Sequence, residues 1–187
     1  MKYFIADTHF YHERIIKLGK RPFSSLNDMH NTLISNWNKK VARGDLVYIL
    51  GDFSFKHSGD ILKRLAGSKI FVIGSHDKDA LKADNRPLFE KIAPVISMKE
   101  EGQRVILCHY PFEVWESSHR GSWHLHGHCH GDLKPLGKRW DVGVDNNNFE
   151  PLSWVEIKGI MSKRPKTKPH HLSKYGFRSM LRKFVRF

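Results

Sequence analysis

Short apolar runs, each followed at once by an acidic residue or a histidine, recur along this chain of 187 residues. The clearest run spans residues 46–50 and leads through one glycine into Asp52. A continuous apolar run of this length is typical of a strand that is covered on both faces. Residues 2–6 form a similar run that ends at Asp7, and residues 69–73 form a third. Because ligands in layered α/β proteins bind beyond the carboxyl ends of the strands, the pattern predicts that these polar side chains gather at one edge of the fold.

Strands and helices are predicted to alternate along most of the chain, which indicates the α/β class. Apolar residues at helical spacing indicate a helix at 25–40, and Ser153 with Glu156 is typical of a capping box. The predicted strands cover residues 2–6, 46–50, 69–73, 94–98, 104–108, 122–125 and 139–144, and the predicted helices cover residues 25–40, 58–66 and 153–160. We expect one domain over residues 1–160 and a basic C-terminal tail over residues 161–187.

The composition favours a folded protein, because 40% of the residues are hydrophobic and 12% are aromatic. No apolar run approaches the roughly 20 residues of a membrane span, and charge interrupts the first residues too early for a signal peptide. We therefore expect a cytoplasmic protein without a transmembrane segment. Cys108 and Cys129 each stand beside a histidine. Buried free thiols are favoured for both over zinc ligands, which fits a reducing compartment.

The positive charge is concentrated at the C-terminus. Residues 161–187 contain nine Lys or Arg and no Asp or Glu, so they hold nine of the thirteen net formal charges. The apolar spacing over residues 172–187 predicts an amphipathic helix. Binding to nucleic acid, binding to a negative membrane surface and mere solubility would each account for such a tail.

Histidines alternate over residues 124–130, where His124, His126, His128 and His130 stand two apart. Neutral imidazole is the commonest protein ligand for divalent transition metals, so this stretch predicts a metal site. A surface histidine cluster without a ligand is the alternative. Asp residues after strands could likewise be turn residues that cap the next helix, and single histidines could belong to the core.

Five short motifs, taken in order, resemble those of the calcineurin-like metallophosphoesterases over about residues 1–160. They are Asp7-x-His9, Gly51-Asp52, Gly74-Ser75-His76-Asp77, His109 and Gly127-His128-x-His130. Each motif alone is common, but five in this order are specific. The resemblance implies an α/β fold of the four-layer αββα type, in which two mixed sheets are flanked by helices and two metal ions lie at the sheet ends.

The resemblance also implies a role for each motif residue. One ion would be held by Asp7, His9 and His130, the other by Ser75, His109 and His128, with Asp52 bridging both. His76 would contact the phosphate and assist the leaving oxygen, and Asp77 would orient His76. The two divalent ions could be Mn²⁺, Fe²⁺, Zn²⁺ or Ni²⁺. The family normally has Asn where this chain has Ser75, and a hydroxyl reaches less far than an amide oxygen, so we expect a looser second ion.

The function implied is hydrolysis of a phosphate ester by attack of a metal-bridging hydroxide. We favour a phosphodiester of a nucleotide or nucleic acid, because the tail is basic and because aromatic rings and a cation follow His109. These residues are Phe112, Trp115, Arg120 and Trp123. For the two tryptophans we favour core packing over base stacking. His12 could reach a substrate phosphate or begin a solvated helix. The alternative function is a catalytically weakened metal-binding interaction module with the same fold. The oligomeric state stays open.

Overall fold

The computed structural model describes residues 1–167, so the helix predicted at 172–187 lies outside the described residues. The strands are β1 (Lys2–Ile5), β2 (Leu46–Ile49), β3 (Ser68–Val72), β4 (Lys91–Ala93), β5 (Val95–Glu100), β6 (Gln103–Cys108), β7 (Trp123–His126), β8 (Arg139–Asp141) and β9 (Leu152–Ser153). The helices are α1 (Ile15–Leu18), α2 (Leu26–Lys40), α3 (Ser58–Arg64) and α4 (Trp154–Ser162). None of the helices within residues 1–167 combines the length and the apolar composition that crossing a membrane requires.

The strands form two mixed sheets, which confirms the predicted α/β class. The first sheet has the order β4-β3-β2-β1-β9, in which β1 to β4 are parallel and β9 runs antiparallel to β1. The second sheet has the order β5-β6-β7-β8, in which β5 is antiparallel to β6 and the others are parallel. Strand β4 was not predicted, because three residues before Pro94 give too short a pattern.

Alternate residues of the first sheet face two different hydrophobic clusters. Ile49 and Phe71 face a cluster that includes Trp37 of α2. Their neighbours Leu50 and Val72 face a second cluster, which is shared with the second sheet and α4. Because a one-residue slip would exchange the two faces, and each buried side chain contributes about 1.5–3 kcal/mol, this double burial specifies the register.

Two predicted helix starts are present with their caps. The Ser25 hydroxyl accepts a hydrogen bond from the Asp28 backbone at the start of α2. At the start of α4, Ser153 and Glu156 form the predicted capping box, each side chain accepting from the other's backbone. Helix α4 continues past residue 160, and Met161 is fully buried in the second cluster. The boundary between body and tail stays a prediction.

The aromatic residues that follow His109 pack against neighbouring groups of the fold. Phe112 stacks on His124 with ring centroids 5.0 Å apart. Trp115 is buried and donates a hydrogen bond to the Ser122 carbonyl at 3.1 Å. Trp123 packs 5.2 Å from the ring of Trp154. The packing of Trp115 and Trp123 agrees with the core role favoured for the tryptophans, and base stacking by this segment stays a prediction. Both cysteines are free; Cys108 is buried as predicted, whereas Cys129 is only partly buried.

Candidate metal centre

The loops after β1, β2, β6 and β7 meet at one edge of the fold. The Asp7 amide donates to the Gly51 carbonyl at 3.1 Å, which joins the first two loops. The Gly127 amide donates to the His109 carbonyl at 3.0 Å, which joins the other two. The His128 amide donates to both carboxylate oxygens of Asp7, at 3.1 and 2.9 Å, which links the two sheets. The convergence expected from the apolar runs is therefore present.

Six of the predicted ligands form two groups that could each hold a metal ion. One group contains Asp7, His9 and His130, and the other contains Asp52, His109 and His128. Within each group the potential ligand atoms all lie within 4.8 Å of one another.

Asp52 lies between the two groups and faces each with a different oxygen. Its Oδ2 is 3.7 Å from His9 Nε2, and its Oδ1 is 3.5 Å from His109 Nε2. Two ligand atoms at about 2.1 Å from a tetrahedral ion lie about 3.4 Å apart. Both distances are close to that value, so Asp52 fits the position of a carboxylate shared by two ions.

Buried imidazole nitrogens without hydrogen-bond partners mark the same place. Within residues 1–167, both ring nitrogens of His9 and Nε2 of His109 are buried and unpaired. The other nitrogen of His109 is held by the Leu50 carbonyl at 2.8 Å. An unpaired buried polar group costs about 1–3 kcal/mol, and a bound cation would remove that cost. Burial lowers the pKa of His9 to about 2 and also lowers the pKa of His109, so both rings are neutral, as metal ligands must be.

Asp7 adds an electrostatic reason for a cation. Burial raises the pKa of Asp7 well above its usual value, and the nearby carboxylates of Asp141 and Asp52 raise it further, against the opposing effect of His130. A buried carboxylate crowded by like charges is stabilised by a neighbouring cation. The residues present therefore fit a pair of divalent ions.

The backbone of the site is strained. Five of the six grouped residues have positive φ although they carry side chains: Asp7 at 56°, His9 at 51°, Asp52 at 51°, His128 at 73° and His130 at 48°. Each such residue costs on the order of 1–3 kcal/mol and persists only where the surroundings enforce it. Strain of this kind concentrates at functional sites, which supports a function for this edge.

Two glycines allow the loops to approach this closely. A Cβ on Gly74 would lie 2.5 Å from the Asp52 nitrogen, and a Cβ on Gly127 would lie 2.6 Å from Asp7 Oδ2. Neither contact is tolerable without movement of a backbone or a ligand, so both positions require glycine.

The Ser75-His76-Asp77 segment lies beside Asp52. The Ser75 hydroxyl donates to both Asp52 oxygens at 3.1 Å, and the His76 amide donates to Asp52 Oδ1 at 2.9 Å. The orienting role expected for Asp77 beside His76 stays a prediction. Its carboxylate accepts from the backbone of Gly74 at 2.6 Å, Phe53 at 2.8 Å and Asp52 at 3.0 Å, so it braces two loops. Burial raises the pKa of Asp77 to about 6.

Two imidazoles and a phenyl ring stack along the wall of the cavity at this site. His12 stacks on Phe55 at 4.2 Å, and Phe55 stacks on His76 at 5.0 Å. The cavity has a volume of about 540 Å³, and Lys20 contributes to its lining. His76 is exposed to this cavity, where a substrate could reach it.

The sequence patterns missed two acids that support the site. Asp145 Oδ2 lies 2.6 Å from His130 Nδ1 and raises the pKa of that imidazole. Asp141 accepts from the backbone of Gly131 at 3.0 Å and Gly143 at 2.8 Å. Asp141 lies inside the strand predicted at 139–144, and Asp145 directly follows it but begins a polar run that is typical of a turn, so neither was selected as a site residue.

His124 and His126, which belong to neither Asp/His group, are buried and bond to the backbone. His124 Nδ1 lies 3.0 Å from the Ile106 carbonyl, and its Nε2 accepts from the Phe112 amide at 3.0 Å. His126 Nδ1 lies 2.8 Å from the Gly127 carbonyl.

Comparison with known proteins gives a relative for most of the chain. No family model matches the sequence. An uncharacterised protein of Methanocaldococcus jannaschii, MJ1445, is 34% identical over 173 residues, which cover 86% of this chain and 91% of the relative. The chain belongs to the family of MJ1445. The present structure is similar to the crystal structure of AQ665, a protein of unknown function from Aquifex aeolicus. The TM-score is 0.69 and the sequence identity is 29%, over 86% of this chain and 98% of the other.

YfcE, a phosphoesterase from E. coli, is similar with a TM-score of 0.38 and 16% identity, over 76% of this chain and 77% of the other. A TM-score this low does not indicate a shared fold.

Proposed function

We propose that this protein is a metal-dependent phosphoesterase with the four-layer αββα fold of the calcineurin-like metallophosphoesterases. The observation that carries the proposal is the position of Asp52 between two Asp/His groups, with one oxygen toward His9 and the other toward His109. Five ordered motifs support the same family. When bound, two divalent ions would supply positive charge to a phosphoryl group and lower the pKa of a water molecule toward neutrality.

The chain's own residues would hold, orient and shield the reacting groups. Asp7, His9 and His130 would hold one ion, and His109 and His128 the other, with Asp52 shared. Ser75 would keep the Asp52 carboxylate in place through its hydroxyl. Because the rings of His9 and His109 are buried and neutral, they lose no proton when they become ligands.

His76 would act directly on the substrate. Its backbone is fixed to Asp52, and its ring is held against Phe55 while remaining exposed to the cavity. From there an imidazole can donate a hydrogen bond to a phosphoryl oxygen or a proton to the leaving oxygen. His12, which also stacks on Phe55, would provide a second donor to the phosphate.

We favour a phosphodiester of a nucleotide or nucleic acid as the substrate. Tyr110 has 44% of its surface exposed, and its ring lies 4.9 Å from that of His128, which lines the cavity. An exposed aromatic ring beside a phosphate site can stack a nucleobase. Tyr110 is thus a further candidate for the base-stacking role, beside Phe112, Trp115 and Trp123.

The test is turnover of bis(p-nitrophenyl) phosphate by chelator-treated protein, measured with Mn²⁺, Fe²⁺, Zn²⁺ and Ni²⁺ added separately. We expect activity that depends on metal, exceeds that on p-nitrophenyl phosphate and is abolished by Asp52→Asn. Hydrolysis that is equal in Asp52→Asn would contradict the proposal.

The second candidate function is a metal-binding interaction module that has lost turnover. Ser75 favours it, because its hydroxyl is engaged by Asp52 and stands where the family has an amide ligand. Binding of divalent ions without hydrolysis of either ester would support this alternative over the enzyme.

The basic tail would bind a polyanion in the cytoplasm, with nucleic acid favoured. The cationic groups beside its origin support this proposal. Lys138 donates to the Met161 carbonyl, and Arg164 donates to the Gly137 carbonyl at 2.8 Å. Because these acceptors are neutral, the hydrogen bonds do not cancel the positive charges of Lys138 and Arg164. Thr167, where the described chain ends, contacts the same Gly137 segment.

A further inference from the structure

Arg21 is a buried arginine that holds the loop of the first Asp/His group. Only 4% of its surface is exposed, and it belongs to the connection between α1 and α2. Its Nη2 donates to the Asp7 carbonyl at 2.7 Å, and its Nη1 donates to the Thr8 carbonyl at 3.0 Å. These consecutive carbonyls belong to the strained turn that carries Asp7 and His9. The guanidinium therefore helps to enforce a backbone that would otherwise relax.

The same guanidinium forms a bidentate ion pair with Asp145. Arg21 Nε donates to Oδ1 at 2.7 Å and Nη2 donates to Oδ2 at 2.9 Å. Paired contacts of this kind fix the plane of the carboxylate as well as its position. Because a guanidinium can only donate hydrogen bonds, both oxygens of Asp145 act as acceptors in this contact.

Because Asp145 accepts, the hydrogen bond of 2.6 Å to His130 requires the proton on Nδ1 of that imidazole. The lone pair of Nε2 is then left for the group formed with Asp7 and His9. Arg21 and Asp145 thus determine both the ring orientation and the tautomer of His130, over a sequence separation of 124 residues between Arg21 and Asp145.

The second group is oriented differently. His109 Nδ1 is held by the backbone carbonyl of Leu50 at 2.8 Å, so its tautomer depends on no removable side chain. A change at Asp145 should therefore affect one group and leave the other in place.

We propose that Arg21 and Asp145 are positioning residues for the ion held by Asp7, His9 and His130, and not for the ion held by Asp52, His109 and His128. This inference rests on the metal centre of the proposed function, but it does not require hydrolysis. It predicts that substitution of Arg21 or Asp145 weakens the binding of one ion and leaves the binding of the other unchanged.

The experiment is calorimetric titration of chelator-treated, full-length protein with Mn²⁺, accompanied by electron paramagnetic resonance spectra. In wild type we expect two ions per chain and a spectrum of magnetically coupled ions. In Asp145→Asn we expect one dissociation constant to rise by about 10- to 100-fold, the usual effect of removing a residue that orients a ligand, while the other stays unchanged. At Mn²⁺ concentrations between the two constants, the spectrum should become that of an isolated ion.

Two further variants separate positioning from damage to the fold. Asp145→Asn leaves the buried guanidinium of Arg21 without its counter-charge, which could destabilise the fold. The double variant Arg21→Gln/Asp145→Asn removes both charges. It should weaken binding of the same single ion. The matched control is Asp79→Asn. Asp79 is a buried carboxylate that accepts from the Ser58 backbone at 2.8 Å and from Lys82, and it belongs to neither group. This control should bind both ions like wild type.

The outcomes are distinct. No Mn²⁺ binding by wild type would overturn the metal centre itself. Two ions in wild type, together with unchanged constants in both Asp145 variants, would overturn this inference alone. Equal weakening of both ions would also overturn it, because a positioning role confined to one group predicts a difference between them.

Discussion

Asp7 and His128, which are 121 residues apart, are joined by hydrogen bonds from the His128 amide to both carboxylate oxygens of Asp7. A residue of one Asp/His group thus supports the backbone of the other. We expect Asp7→Asn to weaken mainly the first ion, by more than the roughly 10- to 100-fold typical of supporting residues. Asp7→Ala should weaken both ions, because it also removes the acceptor for His128. Mn²⁺ titration measures both effects, and the surface variant Asp60→Asn serves as a control.

Ser75→Asn should tighten the second ion. An amide oxygen reaches farther than the Ser75 hydroxyl, which now donates to both oxygens of Asp52. We expect about tenfold tighter binding at the Asp52, His109 and His128 group, within the range by which residues around a metal alter its affinity. Ser75→Ala, which lacks both hydroxyl and amide, should not show the gain. Equal affinities in wild type and Ser75→Asn would contradict the expectation of a looser second site.

His76→Gln should lower kcat by about 10²- to 10⁴-fold, the usual contribution of a general acid, without changing the metal content. If His76 protonates the leaving oxygen, the loss should be larger for an alkyl ester than for a p-nitrophenyl ester, whose leaving group needs little assistance. The ratio of kcat values for the two esters checks this, with metal analysis of each preparation. A loss that is the same for both esters would favour a role in phosphate contact alone.

The unfolding free energy should fall in mild acid because of His124. Burial lowers the pKa of this core imidazole to about 3, with smaller contributions from His126 and Arg139, whereas the unfolded chain has the ordinary value of 6.5. Below pH 6.5 the imidazole is therefore protonated in the unfolded state, whereas in the folded state it stays neutral down to about pH 3. The stabilisation is fully present above pH 6.5 and decreases by about 1.4 kcal/mol per pH unit below it.

Urea unfolding of metal-free protein between pH 7 and pH 4 tests this expectation. The matched variant is His124→Gln, which cannot take up the proton. The difference in unfolding free energy between wild type and variant should shrink by about 3 kcal/mol over the interval from pH 6.5 to pH 4. A difference that is constant with pH would show that His124 does not titrate in this way.

Deletion of residues 168–187 should weaken binding to single-stranded DNA and flatten its salt dependence. The deletion removes six of the nine cations of residues 161–187 but leaves the buried residues Met161 and Thr167 in place. For every phosphate that the shortened chain no longer neutralises, the slope of log K against log salt concentration should fall by about 0.7. The check is fluorescence anisotropy at several salt concentrations, beside hydrolysis of bis(p-nitrophenyl) phosphate as a control for the site. An unchanged slope would show that residues 168–187 do not contribute to binding of the nucleic acid.

Much of the fold could be predicted because the buried strands are marked by their composition. The apolar runs at 46–50 and 69–73 correspond to β2 and β3, and the polar residue after each run begins a loop of the site. The very short strands β4 and β9 were not predicted. They have three and two residues, so their positions are specified by neighbouring strands rather than by a pattern of their own. The strand predicted at 139–144 is β8, which ends at Asp141, whose carboxylate accepts a hydrogen bond from the Gly131 amide.

The grouping of the motif residues could be predicted because each lies near the carboxyl end of a predicted strand. Their roles as ligands stay predictions. The supporting contacts could not be predicted, because they depend on tertiary proximity. Arg21 stands alone in a connection, and Asp145 lies in a polar run, so nothing local indicates that they meet. The contacts of Asp77 could not be predicted for a related reason, since its three backbone donors come from Asp52, Phe53 and Gly74.

The measurement that tests the central claim most directly is a crystal structure of the full chain grown with Mn²⁺, with anomalous diffraction used to locate the ions. The account predicts two anomalous peaks, one among Asp7, His9 and His130 and one among Asp52, His109 and His128, with Asp52 contacting both. Absence of peaks at this edge under saturating Mn²⁺, or peaks only elsewhere on the protein, would contradict it.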